Sequence, residues 1–370
     1  MRTPTTGVRR LVGGCAVAVV FVSACAGGTS ANTKAAGSWS AAPLPGSTKT
    51  VFATELACPT TTFCVAVTPT NGIGGDAPPS GARSVWTFDG QHWAGPQELG
   101  AIPTDVSCSS ASQCLAVTAD GGVQFNGTTW TAVASAPADT DIITTRTVSC
   151  ATPTFCLTAT WGVSTVFDGT SWSPSAPWGV NNAAYGLACA NPTFCVAVTG
   201  SAADPSFLYN GAAWSQVPTP AGVALAGISC PAPGMCVAVG YRSFPSDAPV
   251  DGSASAVYRD GSWTLVPISN SGNGLDKISC PTTSFCVAVD GPDPSGNTGH
   301  GRLSVFNGTT WTKPVTVEHH GALVSVACPR PGRCTAIDEH GTVYTGTVPT
   351  TAAPSGGSSS FGATASSPQP

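Results

Sequence analysis

The sequence predicts an all-β fold, a closed ring of seven four-stranded antiparallel blades arranged as a propeller, and three observations predict it. The segment Ser-Cys-Pro-Thr-Thr-Ser-Phe-Cys-Val-Ala-Val at 279–289 has seven recognisable copies, always with five residues between the cysteines. Successive first cysteines lie 50, 42, 39, 41, 50 and 48 residues apart, a spacing in the propeller range. Only 9% of the 370 residues are charged, whereas Gly (43) and Pro (32) are abundant. That composition suits short strands and turns and leaves little material for amphipathic helices.

In chain order, Arg2, Arg9 and Arg10 precede an apolar run from Leu11 to Val22, the pattern of an export signal over residues 1–24. The run is too short to span a bilayer comfortably. Val22-Ser23-Ala24-Cys25 then resembles the bacterial lipobox. The resemblance implies a lipid on Cys25, a flexible tether over 25–36 and an exported protein anchored to the cell membrane on its extracytoplasmic side; plain secretion is the alternative. Residues 37–346 form the repeat domain. The tail, 347–370, is rich in Pro, Ser, Thr, Ala and Gly and cannot bury a core, so disorder is expected there. Without the three signal arginines the chain has 11 basic and 19 acidic residues. That balance argues against nucleic acid or an anionic membrane surface as an electrostatic partner, leaving the lipid as the membrane attachment. A monomer is expected.

Each unit reads as four strands. The first ends at the first cysteine, with an apolar residue two positions before it and Ala or Ser one position before it: Ala57, Ser107, Ser149, Ala188, Ser229, Ser279 and Ala327. Adjacent strand residues face opposite sides, so a small residue recurs on one face of every sheet. The second strand, Cys-Val-Ala-Val or a close variant, is short and apolar throughout, as a strand buried on both faces should be. The third leads into Asp-Gly or Asn-Gly at 89, 126, 168, 210, 260 and 307, read as hairpin turns in which both residues tolerate positive φ. Trp93, Trp130, Trp172, Trp214, Trp263 and Trp311 begin the fourth strand and are expected to pack one blade on the next.

Seven evenly repeated cysteine pairs in an exported chain point to disulfides across each hairpin: Cys58–Cys64, Cys108–Cys114, Cys150–Cys156, Cys189–Cys195, Cys230–Cys236, Cys280–Cys286 and Cys328–Cys334. The last unit has no tryptophan after Val343-Tyr344-Thr345-Gly346, whereas Gly37-Ser38-Trp39-Ser40 reads as a fourth strand without its first three. The N-terminal strand should therefore complete the last blade and remove the open edges. The chain resembles the seven-bladed β-propeller superfamily over most of 37–346, and its Asx-Gly-x-x-Trp turns are similar to the Asp-box (BNR) repeats of sialidase-like propellers. An Asp box has one residue between its aspartate and glycine, whereas here they are adjacent.

In a four-stranded meander the cysteine turns and the Asx-Gly turns share one face, which is uniform from unit to unit. On the opposite face the separation from second strand to Asx is 22, 21 and 18 residues in units one, five and six, against 9, 9 and 12 in units two to four. Variable loops on a fixed scaffold are where function concentrates. The loops near 69–83, 240–255 and 290–302 thus form a candidate binding rim, with Arg83, Arg146, Trp161, Tyr185, Tyr241, Arg242, Asp276, Lys277 and Arg302 on that face or at the channel mouth. His319, His320 and His340, beside Glu318, Asp338 and Glu339, are candidate ligands for a divalent metal. No other cofactor is indicated. The expected function is an extracytoplasmic binding or scaffold module for a glycan or protein partner. The alternative is a sialidase-like glycoside hydrolase or lyase on the variable face, in which arginines converge beside a tyrosine and a carboxylate.

Overall fold

The structure, a computed structural model, describes residues 37–46, 55–68, 83–118, 121–133, 147–179, 182–242, 252–269, 274–291, 300–318 and 321–350. It is a seven-bladed β-propeller with no helix among the described residues. The inner strands, one per blade, are Glu55–Thr60, Pro103–Ser110, Thr147–Thr152, Gly186–Asn191, Val223–Ala232, Leu275–Thr282 and Leu323–Arg330. Each packs beside the next, and the seventh returns to the first. Closure is as expected: Ser38–Pro43 pairs antiparallel with Thr342–Thr347, Trp39 opposite Gly346, and becomes the outer strand of blade 7.

The second strands are the best buried elements, as their unbroken apolar runs require; Val65, Ala66 and Val67 in blade 1 and Val237, Ala238 and Val239 in blade 5 have no accessible surface. All seven disulfides form within their own hairpins, where strand pairing brings each pair of Cα atoms to 3.9–4.1 Å.

The small residue before each first cysteine has a use that size alone does not suggest. Ser107, Ser149, Ser229 and Ser279 each accept, at 2.9–3.1 Å, the backbone N–H of the first cysteine in the following blade, Cys150, Cys189, Cys280 and Cys328. Blades 1, 4 and 7 carry Ala57, Ala188 and Ala327 there and lack an acceptor. Further out, a second set of bonds crosses the seams. The indole Nε1 of Trp214, Trp263 and Trp311 donates to Ser164, Ser206 and Ser255 on the third strand of the preceding blade. Val85 holds the matching register position in blade 1, opposite Val67 as Ser255 is opposite Val239. Trp130, which packs against Val85 in the seam of blades 1 and 2, accordingly has a buried Nε1 without a partner.

The Asx-Gly turns are hairpin corners as expected, but outside blade 5 the glycine alone takes positive φ. In blades 2 and 4, Phe125 pairs with Trp130 and Tyr209 with Trp214, leaving four-residue loops. The Asx side chain caps the loop: Asn126 Oδ1 accepts the N–H of Thr128 and Thr129, both at 3.0 Å, and Asp89, Asp168, Asn210 and Asn307 repeat the arrangement. Only the glycine then needs positive φ. Blade 5 alone has the two-residue turn, with Asp260 at φ 44° and Gly261 at 99°.

Candidate functional site

Both chain ends of the propeller lie on the fixed-turn face. The Val348 N–H donates to Gly332 O in the cysteine turn of blade 7, and Gly37 is packed so closely on Thr347 O that a Cβ there would lie 1.6 Å from it. The opposite, variable face carries the starts of the inner strands, and there the channel mouth gathers charge.

Three positions before the first cysteine, inner-strand residues face the following blade, as Asp105 does in accepting the Val148 N–H of blade 3. Glu55, Asp105 and Lys277 occupy this position in blades 1, 2 and 6, whereas blades 4 and 5 have Gly186 and Gly227. These glycines let neighbouring strands close in, since a Cβ at Gly227 would lie 2.3 Å from Asp276 O and one at Gly186 2.5 Å from Ala226 O. Lys277 Nζ reaches across blade 7 to Glu55 Oε1 at 2.6 Å, with side-chain exposures of 36% and 18%. The two carboxylates of blades 1 and 2 share this confined space with one ammonium. Burial, then Glu55, push the Asp105 carboxyl up to about 7, against the pull of Lys277 and of the Val148 and Val106 N–H groups that Asp105 accepts at 2.9 and 2.7 Å. For Lys277 burial opposes the charge, but Glu55, Asp105 and Asp276 outweigh it and hold the ammonium above its ordinary range. Asp276 sits at a bulge and covers Gly291 so closely that a Cβ on that glycine would lie 1.9 Å from its Oδ2. Burial raises its pKa, with Lys277 opposing and Glu55 adding.

Lys277 and Asp276 were legible as channel-mouth residues; Glu55 and Asp105 were not singled out. Counting back from each first cysteine would have found them, because a position that is Glu, Asp, Thr, Gly, Gly, Lys and Ser around the ring cannot be set by blade geometry alone.

The remaining candidates are dispersed. Tyr241 belongs to the second strand of blade 5, Met235–Arg242, not to a loop. Its hydroxyl donates to Gly200 O in blade 4 at 2.8 Å, and burial, then Tyr185 and Asp276, raise its pKa. Arg242 ends the same strand and is exposed. Arg302 is paired with buried Asp290 at 2.9 Å within blade 6, and Arg83 donates weakly to Gly100 O at 3.5 Å. Trp161 and Tyr185 are exposed on the rims of blades 3 and 4. Arg146, His319, His320, Cys25 and most of the three long loops lie outside the described residues. His340 stands near Glu339, 3.9 Å between Nε2 and Oε1, and no metal-binding group of three is formed among the described residues.

A tyrosine–carboxylate pair does exist, in an unexpected place. Tyr344 Oη contacts Glu318 Oε2 and Asp338 Oδ2 in the seam of blades 6 and 7. Burial, then the Glu318 and Asp338 interactions, raise the phenol well above its usual range. A nucleophile needs the reverse, access and a lowered pKa. This tyrosine is almost wholly enclosed and ties the two blades together.

No protein-family model matches the chain, and no curated protein sequence matches it. Solved structures do. YCF48 bound to D1 peptide superposes with a TM-score of 0.57 at 14% identity, over 85% of this chain and 97% of that one. YCF48 from Cyanidioschyzon merolae gives 0.57 at 12%, over 84% and 98%. A chain of the mitotic checkpoint complex gives 0.58 at 12%, over 93% and 99%. At such identities the likeness is one of fold alone: the chain shares the propeller architecture of these proteins.

Proposed function

We propose that the protein is an extracytoplasmic binding module, anchored through a lipid on Cys25, that presents the variable face to a protein partner. The observation that carries this reading is the division between the two faces. One repeats the cysteine and Asx-Gly turns around the ring and holds both chain ends; the other differs from blade to blade and gathers Glu55, Asp105, Asp276, Lys277, Trp161 and Tyr185. A tether entering beside Gly37 would turn the fixed face to the membrane and leave the variable face outward. The peptide bound to YCF48 and the assembly of the checkpoint complex are properties of those proteins that agree with a binding role for this fold.

Two measurements test the reading. The native protein should partition into detergent, and Cys25→Ser should release it to the aqueous phase; an unmodified N-terminus further along the chain contradicts the anchor. Used as bait on envelope extracts, the domain should lose its partner when Tyr185 and Arg242 are both changed to Ala, and keep it when Thr128 and Thr309 on the fixed face are. The opposite pattern at unchanged stability contradicts the assignment of the face.

A further inference from the structure

Trp161 and Tyr185 are 41% and 61% exposed; the other large hydrophobic side chain left open among the described residues is Leu265, at 43% on the outer strand of blade 5. Trp161 tops blade 3 and Tyr185 tops blade 4 on the variable face, and neither stands on slack backbone. In the turn that carries Trp161, Thr160 N–H donates to Val163 O at 3.0 Å and Gly162 N–H to Asn182 O at 3.2 Å. Trp178, buried beneath, adds bonds from its N–H to Gly162 O at 3.1 Å and from Nε1 to Thr160 O at 3.0 Å. The Tyr185 ring lies over Gly200, where a Cβ would be 2.8 Å from Cγ. Gly200 is itself fixed by its N–H to Leu225 O at 2.9 Å and by the Tyr241 hydroxyl. Large aromatic surfaces held open on rigid seats are pre-organised for a ligand.

Asn182 joins the two seats, since its carbonyl accepts the Gly162 N–H beside Trp161. Asn182 is three residues from Tyr185, a span of at most roughly 10 Å. Its Oδ1 accepts Ala183 N–H at 2.8 Å, and its Nδ2 donates to Asp204 Oδ2 at 2.6 Å. This leaves the second Nδ2 hydrogen and Asp204 Oδ1 without a protein partner among the described residues. A hydrogen-bond donor therefore lies beside an acceptor, on a segment that adjoins the exposed Trp161 and Tyr185. A pyranose has the matching shape: an apolar C–H face that stacks on an aromatic ring, and edge hydroxyls that each donate and accept. The Asp204 carboxylate disfavours acidic sugars.

We infer that Trp161, Asn182, Asp204 and Tyr185 form a subsite for neutral pyranosyl units of an oligosaccharide. The inference does not depend on the protein-binding reading, and either can fail alone. It is tested by calorimetric titration of the full exported chain, made soluble by Cys25→Ser, with hexasaccharides of β-1,4-linked glucose, N-acetylglucosamine, xylose and mannose and of α-1,4-linked glucose. At least one should bind with Kd below about 1 mM. Trp161→Ala and Tyr185→Ala, each verified as folded by its melting temperature, should weaken that binding about tenfold or more, and Leu265→Ala should leave it unchanged. Binding by none of these sugars, or equal weakening by Leu265→Ala, overturns the inference; in either case protein capture by the variable face would be untouched.

Discussion

Replacing Ser206 by Ala probes what holds neighbouring blades together. The Ser206 hydroxyl has no accessible surface; it accepts Trp263 Nε1 at 2.7 Å and donates to Val217 O at 3.0 Å. Its removal deletes two hydrogen bonds worth about 1 kcal/mol each and leaves the half-buried indole donor without its partner, which brings the cost to roughly 2–3 kcal/mol. For a domain of this size that lowers the melting temperature by about 3–5 °C. The informative assay is a double-mutant cycle with Trp263→Phe, which keeps the aromatic contact with Tyr258 but removes the N–H. In that background Ser206→Ala should cost only about 1 kcal/mol, the share of the Val217 bond, giving a coupling of about 1–2 kcal/mol. Equal losses in both backgrounds would refute the reasoning. The molecule already contains the natural counterpart, because Trp130 faces Val85 and its Nε1 is orphaned. Val85→Thr should therefore stabilise the domain by up to about 1 kcal/mol, and should not do so once Trp130 is Phe.

Three further outcomes follow from the same geometry. The folded-state pKa of Asp105 is raised to about 7 from about 3.9 in the unfolded chain. The folded state then binds more protons between these values, and this group makes stability fall as pH rises from about 4 to 7; denaturant midpoints of Asp105→Asn should lose that slope, and an unchanged slope contradicts the placement. Lys277→Met leaves Glu55 and Asp105 without their cation, so its loss of stability relative to wild type should be greater at pH 8 than at pH 5, and equal losses contradict the shared cluster. Gly227→Ala sets a Cβ against Asp276 O and should cost about 1–3 kcal/mol or more, while removal of the Cys280–Cys286 bridge by a paired change to Ala should cost roughly 2 kcal/mol; thermal or denaturant unfolding reads both.

Architecture was legible because each blade repeats one set of local demands. The fixed cysteine spacing gave the hairpins, the second-strand Val-Ala-Val runs gave burial on both faces, and Trp39 without a preceding third strand gave the closure. The Asx-Gly hairpins were legible but their caps were not: the Asn126 side chain takes the two N–H groups of Thr128 and Thr129, and only Gly127 takes positive φ. The role of Ser107 and its counterparts was hidden because their partners lie in the next blade, some 40–50 residues away. The same holds for the channel cluster, in which Lys277 and Glu55 are 222 residues apart. Tyr241 and Arg302 looked free in sequence. Their engagement by Gly200 and Asp290 depends on strand extension and cross-blade packing that no local pattern announces.

The central claim is that the variable face, with the channel mouth and the Trp161–Tyr185 rim, is the working surface. It is tested most directly by a photo-activated cross-linking amino acid placed in intact cells either at Tyr185 on the variable face or at Thr128 on the fixed face. The account predicts a discrete cross-linked envelope component from position 185 and none from position 128. A component captured from 128 and absent from 185 would contradict it.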